Sequence, residues 1–154
     1  MWNDIKYEPG TIKVVALDDL GKPAMAKEIH TSGAPYQIVL EPASKTIAAN
    51  GEDLAYVTVS VVDENGIPCP TATNELKFSV EGKGAFKAVC NGDPTSLELF
   101  HEPKMKLFSG KLVALVQAGT DIGDIQLNVT GKGLKGSSVT IKAVKPVVHW
   151  ADRD

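Results

Sequence analysis

Aromatic side chains are scarce in this chain, amounting to 6% of its 154 residues. The two tryptophans, Trp2 and Trp150, stand at opposite chain ends. Many β-sandwiches bind sugar by stacking its rings on exposed aromatic faces, and such a platform is hard to assemble from so few rings. Cysteine is scarcer still, with Cys69 and Cys90 alone. Two are too few for a disulfide framework, and their spacing has nothing of the paired C-x-x-C of a structural zinc site. Both are expected to be free and partly buried, and they do not fix the compartment. Neither sign of charge dominates: 16 basic residues face 19 acidic ones, for a formal net charge of -3. No basic field is available to hold a phosphate backbone, which excludes nucleic acid as a partner class. Long apolar runs are missing as well. "KLVALVQA" (111–118) falls far short of the roughly 20 residues of a membrane helix, and Met1-Trp2-Asn3-Asp4 does not open a signal peptide. The chain as it stands is expected to be soluble.

What the sequence does have is alternation. In "LAYVTVSVVDENG", Ala55, Val57, Val59 and Val61 share one face and Tyr56, Thr58 and Ser60 the other, and β-branched residues favour a strand there. The same period of two places Leu76, Phe78 and Val80 together, then Ile125, Leu127 and Val129, then Val139, Ile141 and Ala143. Leu112 to Val116 is apolar on both faces, which reads as a central strand covered on each side. No window of helical length shows a 3.6-residue period. Gly (14) and Pro (9) fall between the short runs. The expected fold is all-β, an immunoglobulin-like β-sandwich with an extra N-terminal strand pair. Its core should include Val57, Val59, Phe78, Leu127, Val129 and Ile141.

A short pattern occurs twice. "VALDDLGKPAMAKE" (15–28) and "SVVDENGIPCPTATNE" (60–75) both contain D-x-x-G-x-P, as Asp18, Gly21, Pro23 and as Asp63, Gly66, Pro68. Physically this is a strand, a turn whose glycine takes positive φ, and a proline opening the return on an edge or loop. Residues 34–146 have the length of one complete sandwich, whereas residues 1–33 are too few for another. The latter are read as the C-terminal strands of a preceding domain, with a hairpin of Ile12 to Asp18 against Ala24 to Ile29, and residues 147–154 as a tail.

Candidate sites are few. "GKGLKG" (131–136) matches G-x-G-x-x-G, but a strand follows it where the dinucleotide fingerprint needs a helix, so these are hairpin glycines and no cofactor is expected. The sequon "NVT" (128–130) lies inside a predicted strand. His30, His101 and His149 have no metal-binding spacing between them, and no G-x-S-x-G elbow precedes a helix. The "DENG" turn (63–66) has oxygen ligands but is far shorter than an EF-hand loop, leaving calcium as the minor alternative. The densest cluster of reactive side chains is "KAVCNGDPTSLELFHEPK" (87–104). It reads as a structural connection. Ala85 to Val89 finishes a strand, Asn91-Gly92 turns, and Asp93-Pro94 suits an N-cap and the first residue of a short helical turn. Thr95 and Glu98 offer an alternative capping box. On this reading Asp93 and Glu98 accept backbone N–H bonds, while Leu97 and Phe100 pack inward. The functional alternative is a glycan or metal site built from Asp93, Glu98 and His101. No catalytic, cofactor-binding or metal residue is assigned.

At these residues the chain resembles a known family. "WNDIKYEPGTIKVVALDDLGK", "TSGAPYQIVL", "IAANGEDLAYVTVSVVDENGIPCPTATNELKFSVEGKGAF", "NGDPTSLELF" and "FSGKLVALVQ" are similar, in order, to the C-terminal immunoglobulin-like region of bacterial β-galactosidases of glycoside hydrolase family 2. Tyr7-Glu8-Pro9-Gly10, Asp53-Leu54 leading into Val57-Thr58-Val59, and Asn91-Gly92-Asp93-Pro94 are its specific parts. Cys90 stands where the pattern leads one to expect glycine or aspartate. The resemblance implies a division of labour in which a (β/α)8 barrel, not in this chain, carries two catalytic glutamates. None of the glutamates here matches that pair. It implies as partners the barrel and neighbouring sandwich domains, with homo-oligomer contacts as a further role, and a periplasmic or cell-surface bacterial location. An independent carbohydrate-binding or adhesin-type module is the alternative.

Overall fold

The computed structural model describes residues 6–146, in which eleven strands and no helix are found. The first two, β1 (Thr11–Leu17) and β2 (Pro23–His30), form an antiparallel hairpin by themselves. The rest build two stacked sheets. A four-stranded sheet contains β3 (Gln37–Pro42), β5 (Leu54–Val62), β9 (Lys111–Ala118) and β7 (Gly84–Cys90), in that spatial order. A five-stranded sheet runs β4 (Thr46–Ala48), β11 (Ser137–Val144), β10 (Gly123–Gly131), β6 (Glu75–Gly82), β8 (Lys104–Lys106). All pairings are antiparallel except β4 with β11.

Period-two sequences bury one face of each strand, and the core forms where those faces meet. Val57, Val59 and Val61 of β5 and Leu112, Ala114 and Val116 of β9 are buried from one side. Leu76 and Phe78 of β6, Ile125, Leu127 and Val129 of β10, and Ile141 and Ala143 of β11 are buried from the other. Cross-strand register keeps them aligned, with Leu127 opposite both Val80 and Val139 and Val57 opposite Ala114. Between the sheets the rings of Phe78 and Phe86 stack at 5.9 Å. All six residues expected in the core are buried.

Two faces behave differently from the rest. Strand β9 is central, but only its inward face is covered; Val113 and Leu115 point outward and are half-buried. The expectation of cover on each side is not met within this chain, because a two-layer sandwich stacks only one sheet on each inner face. In the hairpin every residue of both strands is exposed.

Candidate functional site

The 87–104 segment leaves the four-stranded sheet at the end of β7 and enters the five-stranded sheet at β8. Its polar residues hold that crossing. The Asn91 carboxamide oxygen accepts the Asp93 N–H at 3.0 Å, while its amide donates to the Lys106 carbonyl at 3.0 Å. Asp93 Oδ1 accepts the N–H of Thr95 at 2.9 Å and its hydroxyl at 2.7 Å. These bonds, the backbone N–H foremost, hold the Asp93 carboxyl below the ordinary aspartate range against a weaker opposing effect of burial. Glu98 Oε1 accepts the Lys106 N–H at 3.2 Å, so both acids bind backbone, as the structural reading expects.

Three details correct that reading. Pro94 and Thr95 form a turn with no helix after it, and Glu98 is contacted by the Ser96 hydroxyl at 3.3 Å in place of a Thr95 capping box. Leu97 and Phe100 do not pack inward: Leu97 is 96% exposed and Phe100 55%. The reason is that Val89, Met105 and Leu107 already fill the adjoining core, and the loop is tied to the sandwich through its backbone. Cys90 pairs in register with Val113, so β7 runs one residue beyond the expected end at Val89, and the chain leaves the strand at Asn91-Gly92 as expected.

Among the described residues no group of three or more His, Cys, Asp or Glu side chains is placed to hold a metal ion. His101 is exposed, and His30 Nδ1 lies 2.8 Å from the Thr11 hydroxyl in the hairpin. His149, Trp2 and Trp150 lie outside the described residues. The "GKGLKG" glycines join β10 to β11, with Gly133 at φ 76°, the left-handed conformation a hairpin turn uses. Asn128 of the sequon is in mid-strand, opposite Ser79 and Ser138. Cys69 and Cys90 are both free, Cys69 buried and Cys90 half-buried. Burial raises the Cys69 thiol pKa, more than a side-chain bond to Ser32 lowers it.

What sequence reading missed is the joint between hairpin and sandwich. Asp63 is the one buried charged residue among those described, and it accepts three backbone N–H bonds: from Gly33 at 2.7 Å, Asn65 at 2.9 Å and Ile67 at 2.9 Å. They hold its carboxyl below the ordinary range, the Gly33 bond contributing most, with burial opposing. The repeated D-x-x-G-x-P was the available signal. Beside the joint, a trough of about 950 Å³ separates the two units, bordered by Ile12 and Ile29 of the hairpin and by Val61, Ile67, Pro68 and Pro70 of the sandwich.

The hairpin is two-faced. Its register sets Ile12 opposite Ile29, Val14 opposite Lys27 and Ala16 opposite Met25 on one side. The other side carries the Thr11–His30 contact and the Lys13–Glu28 ion pair at 2.7 Å. The sheets of the sandwich are likewise unequal. Lys77, Ser79 and Glu81 of β6, Gln126, Asn128 and Thr130 of β10, and Ser138, Thr140 and Lys142 of β11 make the outer face of the five-stranded sheet polar. On the four-stranded sheet the outer face is mixed: Tyr56, Val113 and Leu115, with Val39 on the β3 edge, make an apolar strip, beside which lie Thr58, Ser60 and Gln117.

Residues 38–140 match the family described as glycoside hydrolase family 2 C-terminal domain 5. A β-galactosidase of Bacteroides ovatus, BoGH2A, is 42% identical over 139 residues, covering 90% of this chain and 16% of that protein. A family 2 glycosyl hydrolase of Bacteroides cellulosilyticus superposes with a TM-score of 0.86 at 30% identity, over 92% of this chain and 18% of that one. A β-glycosidase of Bacteroides vulgatus does so with a TM-score of 0.82 at 30% identity, over 90% and 18%. These shares exceed what residues 34–146 alone could supply, so the matches take in part of residues 1–33 as well. The chain spans about a sixth of the length of the curated relatives it matches. With the family's pattern over most of its sandwich and the family's fold around it, the chain belongs to the C-terminal domains of glycoside hydrolase family 2.

Proposed function

We propose that this chain is a non-catalytic sandwich of a β-galactosidase-like family 2 enzyme, packing against neighbouring domains of that enzyme around a catalytic barrel. Residues 1–33 are the last strands of a preceding immunoglobulin-like domain and residues 34–146 a complete sandwich, while residues 147–154, expected as a tail, lie outside the described residues. The observation that supports packing is the contrast between the outer faces of the two sheets. A face that meets water is polar, as that of the five-stranded sheet is, whereas an apolar strip such as Tyr56, Val113 and Leu115 is stabilised by being covered. A glycan-stacking role has less support, since among the described residues Tyr56 is the only ring on that outer face. A retaining glycosidase needs two carboxyl groups about 5 Å apart across a sugar cleft, and Asp93 and Glu98 are each engaged by backbone instead.

The test uses a chimera in which this chain replaces the matching segment of the B. ovatus relative. Leu115 is half-buried, so Leu115→Lys should lower the stability of the isolated chain by only about 1 kcal/mol. In the chimera the same change should lower the unfolding temperature or loosen the domain to proteolysis. An effect in the chimera no larger than in the isolated chain would refute packing through this face. The isolated chain should release no chromophore from a chromogenic β-galactoside, and release that co-purifies with it would refute the non-catalytic reading.

A further inference from the structure

The two D-x-x-G-x-P turns share their local bonds and differ in one. In the first, the Asp18 N–H donates to the Lys22 carbonyl at 2.8 Å, and Gly21 N–H to the Asp18 carbonyl at 2.9 Å. In the second, Asp63 N–H donates to the Ile67 carbonyl at 2.9 Å and Gly66 N–H to the Asp63 carbonyl at 3.1 Å. The glycines sit at φ 76° and 79°. One carboxylate oxygen completes each turn: Asp18 Oδ1 accepts from Leu20 and Lys22, and Asp63 Oδ1 from Asn65 and Ile67. The turn therefore needs only one oxygen.

Asp18 is exposed, so its second oxygen is open to water. Asp63 is 4% exposed, and its Oδ2 is taken by the Gly33 N–H, three residues beyond the end of β2. On the other side of Gly33, its carbonyl lies 3.7 Å from the Cys69 sulfur as the thiol's acceptor. Just beyond, Tyr36 N–H donates to the Val62 carbonyl at 2.9 Å. A buried carboxylate oxygen deprived of its donor is costly, so swinging the linker away carries a penalty that a solvated tether would not have.

We propose that Asp63 is a positioning residue which latches the linker and sets the angle at which the hairpin leaves the sandwich. The consequence for the enzyme, that the latch orients the preceding domain, rests on the function proposed above; the latch itself is a property of this chain.

Asp63→Asn separates latch from turn. The amide oxygen can still accept the two turn N–H bonds, while the NH2 group meets the Gly33 N–H donor to donor. Nuclear magnetic resonance on the full chain gives two readouts: exchange of the Gly33 amide, and residual dipolar couplings of the hairpin relative to the sandwich. In the wild type both units should fit one alignment. In Asp63→Asn the Gly33 amide should exchange about tenfold faster or more, as expected for loss of a bond to a charged acceptor, and the hairpin couplings should shrink independently of the sandwich. Asp18→Asn should change neither. Should Asp63→Asn not fold, Gly33→Pro removes the same donor from the linker, and the hairpin should again move independently. A wild-type hairpin that already reorients freely would overturn the latch, as would one that stays rigid with the sandwich in folded Asp63→Asn or in Gly33→Pro. No neighbouring domain enters this measurement, so its failure is distinct from failure of the chimera test.

Discussion

Leu127→Ala and Ile12→Ala make the same kind of change to two strand residues of one chain, and their costs should differ several-fold. Leu127 lies in mid-β10 with no exposed surface, between Val80 and Val139. Truncation removes about three methylene equivalents at about 0.8 kcal/mol each, some 2.4 kcal/mol of transfer free energy. The flanking strands are held by ladders on both sides and can collapse only partly, so a cavity contribution brings the total to roughly 3 to 4 kcal/mol. Ile12 is 63% exposed, and its truncation should stay within about 0.5 kcal/mol in the isolated chain. Urea titration followed by far-ultraviolet circular dichroism measures both, and a calorimetric scan should place Leu127→Ala roughly 10 °C below wild type. Equal costs would refute the reasoning, because they would mean that the hairpin is as well packed as the core. A cost below 1 kcal/mol for Leu127→Ala would refute it from the other side.

Stability should hold from neutral pH down to about the ordinary aspartate pKa near 3.9 and fall below it. The sign follows from Asp63 and Asp93, whose folded pKa values are depressed: their contribution is present above the unfolded pKa and is lost as pH falls through the folded one. Urea midpoints measured across that range should give a shallower acid slope for Asp63→Asn, and an unchanged slope would contradict the assignment. A thiol-specific chromogenic disulfide should label half-buried Cys90 in the native protein and reach Cys69 only on unfolding, since Cys69 is 1% exposed with its thiol pKa raised by burial. Labelling at equal rates would show that the region around Cys69 opens readily.

The strand content, the core faces and the turns were legible in the sequence because they depend on local chemistry. Val57, Val59, Leu127 and Val129 recur at the period of a pleated strand, and that period selects the buried side before any partner is known. The hairpin was read as Ile12 to Asp18 with Ala24 to Ile29 and spans Thr11–Leu17 and Pro23–His30. Both D-x-x-G-x-P turns close alike, as an aspartate reaches its own backbone two and four residues on whatever surrounds it. Tertiary structure decided what depends on distant neighbours. Leu97 and Phe100 looked like core residues, yet the adjoining core is already filled by Val89, Met105 and Leu107 once the two sheets stack. The short strands β4 and β8 exist through their ladders with β11 and β6, which no pattern within three residues can announce. Asp18 and Asp63 have the same local signature, but only the packing of Gly33 beside the second turn gives Asp63 its additional bond and removes it from water. A sequence of this kind determines which groups can bond nearby; where the chain returns determines which of the remaining groups meet a partner.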